Sequence, residues 1–343
     1  MKKIILYVLL FDALLVLGLT FYSSYVHRTP GHYPETTIII APGTGARETL
    51  VQLHDAGLTP PLLLTALPVV ISHQYASLKA GEYHFVPGLT PAQIIGQITR
   101  GEVVVHKVTI PEGWNTWQVR ALMLAEPLLS GDLPAAIPEG SILPDTMHFS
   151  RGEARSAVLA RMQKAQGELM DKLWETRAPN LPIQTREEAI ILASIVEKET
   201  GEVDERALVA GVFTNRLRMG MLLQTDPSVV YGIEVAQAGV PMGRALTRAD
   251  LKADTPYNSY TRAGLPPTPI CNPGRKAIEA ALNPAVTDAM YFVATGAGGH
   301  HFAATLKEHE KNVAAYRAAM KAAQPVEPVV QVAPVHRRKM NSR

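Results

Sequence analysis

The stretch TREEAIILASIVEKET, from Thr185 to Thr200, carries the strongest local signal for both fold and chemistry in this chain. Thr185 is followed three residues later by Glu188, the spacing of a capping box, in which each side chain bonds the other residue's backbone N–H. Apolar residues then recur with helical periodicity. The sequence therefore predicts a helix from Ala189 to about Thr200.

Two carboxylates lie at the end of this predicted helix. At about 100° per residue, Glu197 lies within about 20° of Ile190 and Glu199 within about 20° of Leu192, so both border the apolar face. Partial burial raises the pKa of a carboxyl, which suits a general acid near neutral pH. These residues alone are equally compatible with a charged, solvated helix end that has no catalytic role.

The segments that follow predict a polar groove. A second helix is expected from Glu205 to Met219, carrying Asn215 and Arg216 near its end. Loops rich in amide, hydroxyl and aromatic side chains come next, and such side chains suit a carbohydrate groove. These loops are Leu223–Gly232, Thr255–Thr261, Gly264–Pro267 and Asn272–Gly274. A strand is predicted at Tyr291–Ala294, and His300–His301 are assigned to a turn beside the groove.

The residues before Pro111 predict a compact α+β module, because strand and helix signals alternate there as β-α-α-β-α-β. Thr90 and Gln93 form a capping box with Pro91 at the first helical position. The strands are predicted at Thr36–Ala41, Gly81–Phe85 and Val103–Ile110, and the helices at about Ala46–Ala56, Pro61–Ile71 and Pro91–Arg100. From Pro111 to Pro182 the periodicity is mostly helical.

An apolar run near the N-terminus predicts a membrane anchor. Ile4 to Tyr22 is interrupted only by Asp12, and as a helix it is close to the thickness of a bilayer core, about 30 Å. The alternative is a cleaved signal peptide, but the run is long for one and no small-residue cleavage site follows it. Lys2 and Lys3 predict a cytoplasmic N-terminus.

Composition excludes several other classes of protein. The chain has 33 Lys plus Arg and 31 Asp plus Glu. This near balance provides no excess of positive charge for binding nucleic acid. The single cysteine, Cys271, excludes an intramolecular disulfide and a CxxC metal site. No phosphate-loop pattern is present, so no cofactor is expected. A metallohydrolase using His300, His301 and His309 is a weak alternative, because these histidines lack usual ligand spacing; no metal site is predicted.

Six ordered motifs in the second half of the chain resemble the MltG (YceG-like) family of endolytic murein transglycosylases. They are Ala193–Thr200, Asn215–Leu217, Leu223–Pro227, Tyr257–Asn258, Gly264–Pro267 and Gly298–His300. The resemblance implies a single-pass protein of the bacterial inner membrane with a LysM-like module before a periplasmic catalytic domain. It also implies cleavage of MurNAc–GlcNAc bonds in nascent peptidoglycan strands, leaving 1,6-anhydro-MurNAc ends, beside synthases such as penicillin-binding proteins.

The resemblance also implies roles for individual residues. The family's catalytic glutamate matches Glu199, which acts as acid and then as base. We expect the substrate-binding set to be Glu197, Asn215, Arg216, Gln224, Thr225, Asp226, Tyr257 and Asn258. Three of these have structural alternatives: Asn215 and Arg216 as a clamp between helix and loop, and Asp226 as a turn residue.

The predicted architecture is therefore α+β in four segments. Residues 1–28 form the cytoplasmic N-terminus and the transmembrane helix, and residues 29–110 form the LysM-like module. Residues 111–322 form a mainly helical catalytic domain with short strands, and residues 323–343 form a disordered basic tail. Two alternative functions remain at this stage: a non-catalytic scaffold that binds peptidoglycan, and a hydrolase that uses two carboxylates.

Overall fold

The structure, a computed structural model, describes residues 2–323 and mixes helices with short strands, about half of the chain being helical. Within these residues the chain divides into two compact units, the first ending at Glu168 and the second beginning at Leu169. The predicted basic tail lies outside the described residues, apart from Ala323. The domain boundaries drawn from the sequence stay a prediction.

The first unit combines helices with two antiparallel strand pairs, β1 with β2 and β3 with β4. Its elements are α1 (Lys2–Arg28), β1 (Thr36–Ile40), α2 (Ala46–Asp55), α3 (Leu62–Ile71), β2 (Gly81–Phe85), α4 (Pro91–Arg100), β3 (Val105–Thr109), α5 (Thr116–Ala125), β4 (Thr146–Ser150) and α6 (Arg155–Glu175). Helix α6 continues into the second unit.

Helix α1 carries an apolar surface with no protein covering it. Its residues from 4 to 28 form the one helix among the described residues that is long and apolar enough to cross a membrane. Leu6, Phe11 and Leu17 are each more than 60% exposed. Apolar side chains on all faces of a long helix are typical of a membrane span, so α1 suggests membrane anchoring.

One hydrophobic cluster fills the space between the β1–β2 pair and helices α2, α3 and α4. In the pair, Ile38 lies opposite Tyr83. Tyr83 and Ile95 are wholly buried in the cluster, together with Val69 of α3. The capping box at Thr90 forms as predicted and starts α4 at Pro91. Amphipathic helices therefore cover one face of a two-stranded sheet.

A second cluster lies between the β3–β4 pair and helices α5 and α6. Strand β4 lies inside the stretch for which we predicted mostly helical structure, and that prediction is wrong there. Val108 pairs with Met147, at the far end of a long connection. Strand β4 is stabilised by backbone hydrogen bonds to β3 and by the burial of Phe149. Because these contacts come from residues distant in sequence, they need no periodic pattern within β4 itself.

The second unit is mainly helical and holds the motifs of the candidate site. Its elements after α6 are α7 (Arg186–Glu199), α8 (Arg206–Arg218), α9 (Asp226–Ala236), α10 (Arg248–Lys252), α11 (Arg275–Leu282), β5 (Tyr291–Ala294), β6 (His300–Ala303) and α12 (Leu306–Ala323). Helices α8, α9 and α11 all pack against α7. The predicted turn at His300–His301 is instead strand β6, paired with β5. The turn lies before it, where Gly298 and Gly299 adopt φ values of +95° and +72°.

The first cluster provides a test of the packing. Ile95→Ala should lower the local free energy of unfolding by about 2–5 kcal/mol, because the wholly buried side chain leaves a cavity. Ile39→Ala is the matched control: Ile39 is 52% exposed on the other face of β1, so its loss should cost less than about 1 kcal/mol. Amide hydrogen exchange across β2 and α4 in the detergent-solubilised chain measures both. Equal losses would contradict the assigned core.

Candidate active site

Helix α7 forms the centre of the site because it is buried on nearly every side. The predicted capping box is present: the N–H of Glu188 donates to Thr185 Oγ1 at 3.1 Å. Every residue from Ile191 to Val196 is buried. If α7 had a single buried face, Glu197 and Glu199 would both lie at its border. Packing by α8, α9 and α11 instead covers several faces, and this explains how carboxylates on opposite sides of the helix end are both shielded.

The negative charge of Glu197 is compensated by two hydrogen-bond donors. Its Oε1 accepts from Arg206 of α8 at 2.9 Å, and its Oε2 accepts from the N–H of Gly274 at 2.8 Å. The Glu197 and Arg206 side chains are only 5% and 7% exposed. Gly274 is the N-cap of α11, where the helix dipole favours a negative charge. Glu197 therefore joins three helices through a buried ion pair.

Glu199 has a different environment at the last position of α7. Its half-buried carboxyl accepts a hydrogen bond from the Thr225 hydroxyl. Burial raises its pKa, and the charge of Asp226 acts in the same direction; the Thr225 hydrogen bond and the charges of His300 and Arg216 oppose them without reversing the shift. A helix C-terminus also disfavours an ionised carboxylate. Glu199 thus keeps its proton to higher pH than an exposed glutamate does.

Thr225 is held in place by two serine hydroxyls. It is 1% exposed, and its N–H donates to Ser259 Oγ at 2.9 Å. Ser228 Oγ and Ser259 Oγ both donate to the Thr225 carbonyl, at 2.8 and 3.2 Å. The preceding residue, Gln224, has φ +53°, a left-handed backbone conformation that residues other than glycine seldom adopt. This network fixes the hydroxyl that faces Glu199.

Asp226 follows as the first residue of α9 and is exposed. The hydroxyl of Tyr260 donates to Asp226 Oδ1 at 2.6 Å. Burial, this hydrogen bond and the charges of Asp226 and Glu199 all raise the pKa of Tyr260, so the phenol stays protonated and remains a donor. Asp226 is therefore an oriented carboxylate that acts electrostatically on Glu199.

Asn258 holds the loop that carries Ser259 and Tyr260. It is wholly buried, and its side-chain amide donates to the carbonyls of Asp250, Leu251 and Ala253 at 3.2, 3.2 and 2.6 Å. Its Oδ1 accepts from the Tyr260 N–H at 2.9 Å. These bonds occupy the amide with backbone groups, so its geometry is that of a positioning residue.

Asn215 and Arg216 form the structural clamp that the sequence left as an alternative. Asn215 Nδ2 donates to the carbonyls of Thr287 and Ala289 at 2.9 and 3.1 Å. Arg216 donates to the carbonyls of Met290 and Leu223 at 2.8 Å each. The guanidinium also lies 5.2 Å from the centre of the Tyr291 ring. Arg216 thus contributes a buried positive charge close enough to influence the Glu199 carboxyl.

The remaining predicted residues, Tyr257 and Gln224, lie toward the surface. The Tyr257 hydroxyl lies 2.9 Å from the Thr268 hydroxyl. The Tyr257 ring packs edge-on against the Tyr231 ring, with 5.1 Å between the ring centres. Gln224 is exposed, and its Oε1 lies 3.4 Å from an Arg216 nitrogen. Their substrate-binding roles stay a prediction.

Sequence reasoning did not identify a second ion pair beside the site. Glu205 accepts from both the backbone N–H and the ring Nδ1 of His300, at 2.9 and 2.7 Å. Burial alone raises the pKa of Glu205, but the two hydrogen bonds and the charge of His300 outweigh it and lower that pKa. The pair joins the start of α8 to β6. His300 belongs to the Gly298–His300 motif, whereas no local sequence pattern marks Glu205 as part of the site.

The predicted residues thus separate into two groups. Thr225 contacts Glu199 directly, while Asp226 and Arg216 act on it through their charges. The other five face backbone groups, neighbouring side chains or solvent: Glu197, Asn215, Gln224, Tyr257 and Asn258. The structure adds Ser228, Ser259, Tyr260 and His300. The first three lie in the predicted runs of polar and aromatic residues, and His300 lies in the Gly298–His300 motif.

Comparison with known proteins supplies a family. Residues 38–315 match the model of the YceG-like family. The chain is 30% identical to the endolytic murein transglycosylase of Bacillus subtilis, over 69% of this chain and 72% of that protein. It is 26% identical to the endolytic murein transglycosylase of Streptococcus pneumoniae strain D39, over 81% of this chain. It spans 58% of that streptococcal protein's length.

A solved structure is similar as well. The crystal structure of a YceG-like protein from Listeria monocytogenes superposes with a TM-score of 0.50 at 28% identity. The match covers 81% of this chain and 99% of the Listeria chain. The arrangement of elements is therefore shared over most of the described residues.

The contribution of the Glu197–Arg206 ion pair to stability can be measured independently of catalysis. Glu197→Gln should destabilise the fold by about 3 kcal/mol or more, because the buried charge of Arg206 loses the carboxylate bonded to it. Glu187→Gln is the matched control: Glu187 is exposed on the same helix, and its loss should change stability by less than about 0.5 kcal/mol. Amide hydrogen exchange along α7 is the measurement. Equal protection in the two variants would show that the pair contributes nothing net.

Proposed function

This chain belongs to the YceG-like family, and we propose that it is a membrane-anchored endolytic murein transglycosylase with Glu199 as its catalytic acid and base. The relatives from Bacillus subtilis and Streptococcus pneumoniae carry that activity in their names. The observation that carries the proposal is the state of Glu199: a half-buried carboxyl, oriented by Thr225, whose pKa is raised by burial. One carboxyl of this kind suffices for a lyase.

The first step is protonation of the glycosidic oxygen between MurNAc and GlcNAc. Because the Thr225 hydroxyl donates to Oε1 of Glu199, the proton of the neutral carboxyl is assigned to Oε2. Oε2 gives this proton to the bridging oxygen as the bond to MurNAc C1 breaks, and the GlcNAc side leaves as an alcohol. Glu199 becomes a carboxylate beside an oxocarbenium-like centre.

The second step returns Glu199 to its starting state. The carboxylate takes the proton from the C6 hydroxyl of the same MurNAc, and O6 bonds to C1 to give the 1,6-anhydro ring. No water is consumed, and the catalyst ends protonated. The Thr225 hydrogen bond and the nearby charges of Arg216 and His300 stabilise the carboxylate between the steps.

The carboxylate of Asp226 stabilises the positive charge that develops at C1. Asp226 is exposed and is oriented by Tyr260, so its field is directed at the groove without further reorganisation. Gln224 and Tyr257 are assigned to contacts with the sugar substituents, whereas the buried Thr225 acts through its hydrogen bond to Glu199. Glu197, Asn215 and Asn258 complete the predicted set as positioning residues, because their polar atoms bond protein groups.

Asp226 also defines the competing mechanism. A hydrolase requires a second carboxylate, about 5–5.5 Å from the first for retention and about 6.5–9.5 Å for inversion. Glu197 is bonded to Arg206 and Gly274, so Asp226 is the carboxylate that such a mechanism would use. The two mechanisms differ in product: anhydro ends for the lyase and reducing ends for the hydrolase.

The proposed location rests on the charges at the N-terminus. We place the N-terminus in the cytoplasm and the second unit in the periplasm, because Lys2 and Lys3 precede the apolar run from Ile4 to Tyr22. The β1-α2-α3-β2 arrangement is assigned to a LysM-like module that holds glycan near the membrane. Peptidoglycan synthases are the partners expected for an enzyme that cuts nascent strands.

Replacement of the catalytic carboxyl tests the proposal. Glu199→Gln should lower glycan cleavage by at least the roughly 10²–10⁴-fold typical of lost acid–base catalysis, because the amide has no proton to transfer. Mass spectrometry of products from purified peptidoglycan identifies anhydro ends, reducing ends or intact strands. Glu187→Gln on the same helix is the control and should cleave normally.

The outcomes separate the candidate functions. Anhydro products from the parent chain, lost in Glu199→Gln, support the lyase. Reducing ends that disappear in Asp226→Asn would identify a hydrolase. Binding of glycan without cleavage by the parent chain would identify a scaffold, and full activity of Glu199→Gln would remove this residue from the chemistry.

The Thr225 hydrogen bond gives a pH prediction. This bond stabilises the ionised form of Glu199, so Thr225→Val should raise the pKa of Glu199 further above its ordinary value. The first step needs the protonated acid, and the basic limb of the kcat–pH profile should therefore move to higher pH. Thr225→Ser keeps the hydroxyl and should leave the limb in place. An unshifted limb in Thr225→Val would mean that another group sets it.

A further inference from the structure

Helix α3 is too apolar for the surface that it occupies. Its sequence is LLLTALPVVI, and between Asp55 and Lys79 the chain contains no Asp, Glu, Lys or Arg. Thr65 and Val69 point inward, and Val69 is wholly buried in the cluster shared with β1 and β2. An ordinary helix of this kind has a polar outer face. This one does not.

The outer face of α3 carries large apolar side chains instead. Leu63, Val70 and Ile71 are 66%, 54% and 63% exposed, and Tyr75 in the following turn is 49% exposed. The spacing i, i+7, i+8 places the three aliphatic residues on neighbouring parts of one helix surface. We name this surface, formed by Leu63, Val70, Ile71 and Tyr75, the α3 face. A contiguous apolar surface of this kind marks an interaction site.

Contact with α1 fixes where the α3 face lies along the anchor. Helix α3 packs against α1, and the wholly buried Ser23 donates from its Oγ to the Leu64 carbonyl at 2.6 Å. Ser23 directly follows the apolar run from Ile4 to Tyr22. Helix α3 therefore lies where α1 leaves the bilayer core, at the level of the interface.

We propose that the α3 face inserts into the interfacial region of the bilayer leaflet that the C-terminal end of α1 reaches. This rests on the membrane anchoring included in the proposed function. The contact of α3 with the anchor identifies lipid as the occupant, and the absence of Asp, Glu, Lys and Arg between Asp55 and Lys79 lowers the cost of insertion. Tyr75 suits the headgroup level.

Insertion gives the module a second membrane contact besides α1. A single helix leaves the attached module free to turn about the anchor axis. A second contact through α3 holds the β1–β2 pair and its helices in one orientation on the membrane. A glycan bound by the module is then presented at a fixed height above the lipid, which suits an enzyme acting on strands emerging from membrane-bound synthesis.

Fluorescent labelling of the full chain in proteoliposomes tests the proposal. Single variants Leu63→Cys and Ile71→Cys carry an environment-sensitive label, and the native Cys271 is wholly buried, with the parent chain checking that it stays unlabelled. Lipids bearing a quencher near the headgroup report insertion, and iodide in the buffer reports exposure to water. We expect at least twofold quenching by the lipid and little by iodide.

Two further labels make failure interpretable. Ile39→Cys, on the opposite face of the β1–β2 pair, should be quenched by iodide and not by lipid. Leu15→Cys lies inside α1 and should be quenched by lipids bearing the quencher deep in the acyl chains.

Each combination of results decides one claim. Lipid quenching at Leu15 with none at Leu63 and Ile71 overturns insertion of α3 and leaves the anchor intact, whether iodide reaches these labels or a protein covers them. No quenching at Leu15 refutes the membrane span in the proposed function. The Leu63 and Ile71 labels then show independently whether the α3 face inserts into lipid. Glycan cleavage by Glu199 is measured separately and is independent of all four labels.

Discussion

The burial of α7 on several sides is the constraint on which the rest of the second unit depends. A helix covered by α8, α9 and α11 cannot end in two carboxylates unless each is accommodated. Glu197 is neutralised by Arg206 and by the N-terminus of α11, and this stabilises the packing of three helices. Glu199 receives a single hydroxyl and holds its proton more tightly. Structural and chemical roles are thereby divided between residues two positions apart.

The division explains why so many polar side chains near Glu199 form hydrogen bonds to protein groups. An acid whose pKa depends on burial needs a rigid surrounding, because water entering the site would lower that pKa toward its ordinary value. Asn258 fixes the loop of Ser259 and Tyr260, and Ser259 in turn fixes Thr225. Arg216 ties α8 to the residues before β5. The residues around Glu199 are thus held by hydrogen bonds that are mostly to backbone groups.

Much of the local structure was readable from the sequence. The capping boxes at Thr90 and Thr185 start helices where predicted, since a cap depends on residues three apart. The strands at Gly81–Phe85 and Tyr291–Ala294 also lie where predicted. Strand β4 was missed, and β6 was taken for a turn, because each is stabilised by a partner strand and not by its own pattern.

The sequence by itself determined the apolar anchor helix, the capped helix that ends in Glu197 and Glu199, and the membership of the family carried by its ordered motifs. The tertiary structure decided which carboxylate is compensated and which is left to hold a proton. It also decided that Asn215, Arg216 and Asn258 bond backbone carbonyls, and that Glu205 meets His300. The physical reason is that a pKa and a hydrogen-bond partner depend on groups brought together from distant positions, whereas caps and periodicity are encoded within a few residues.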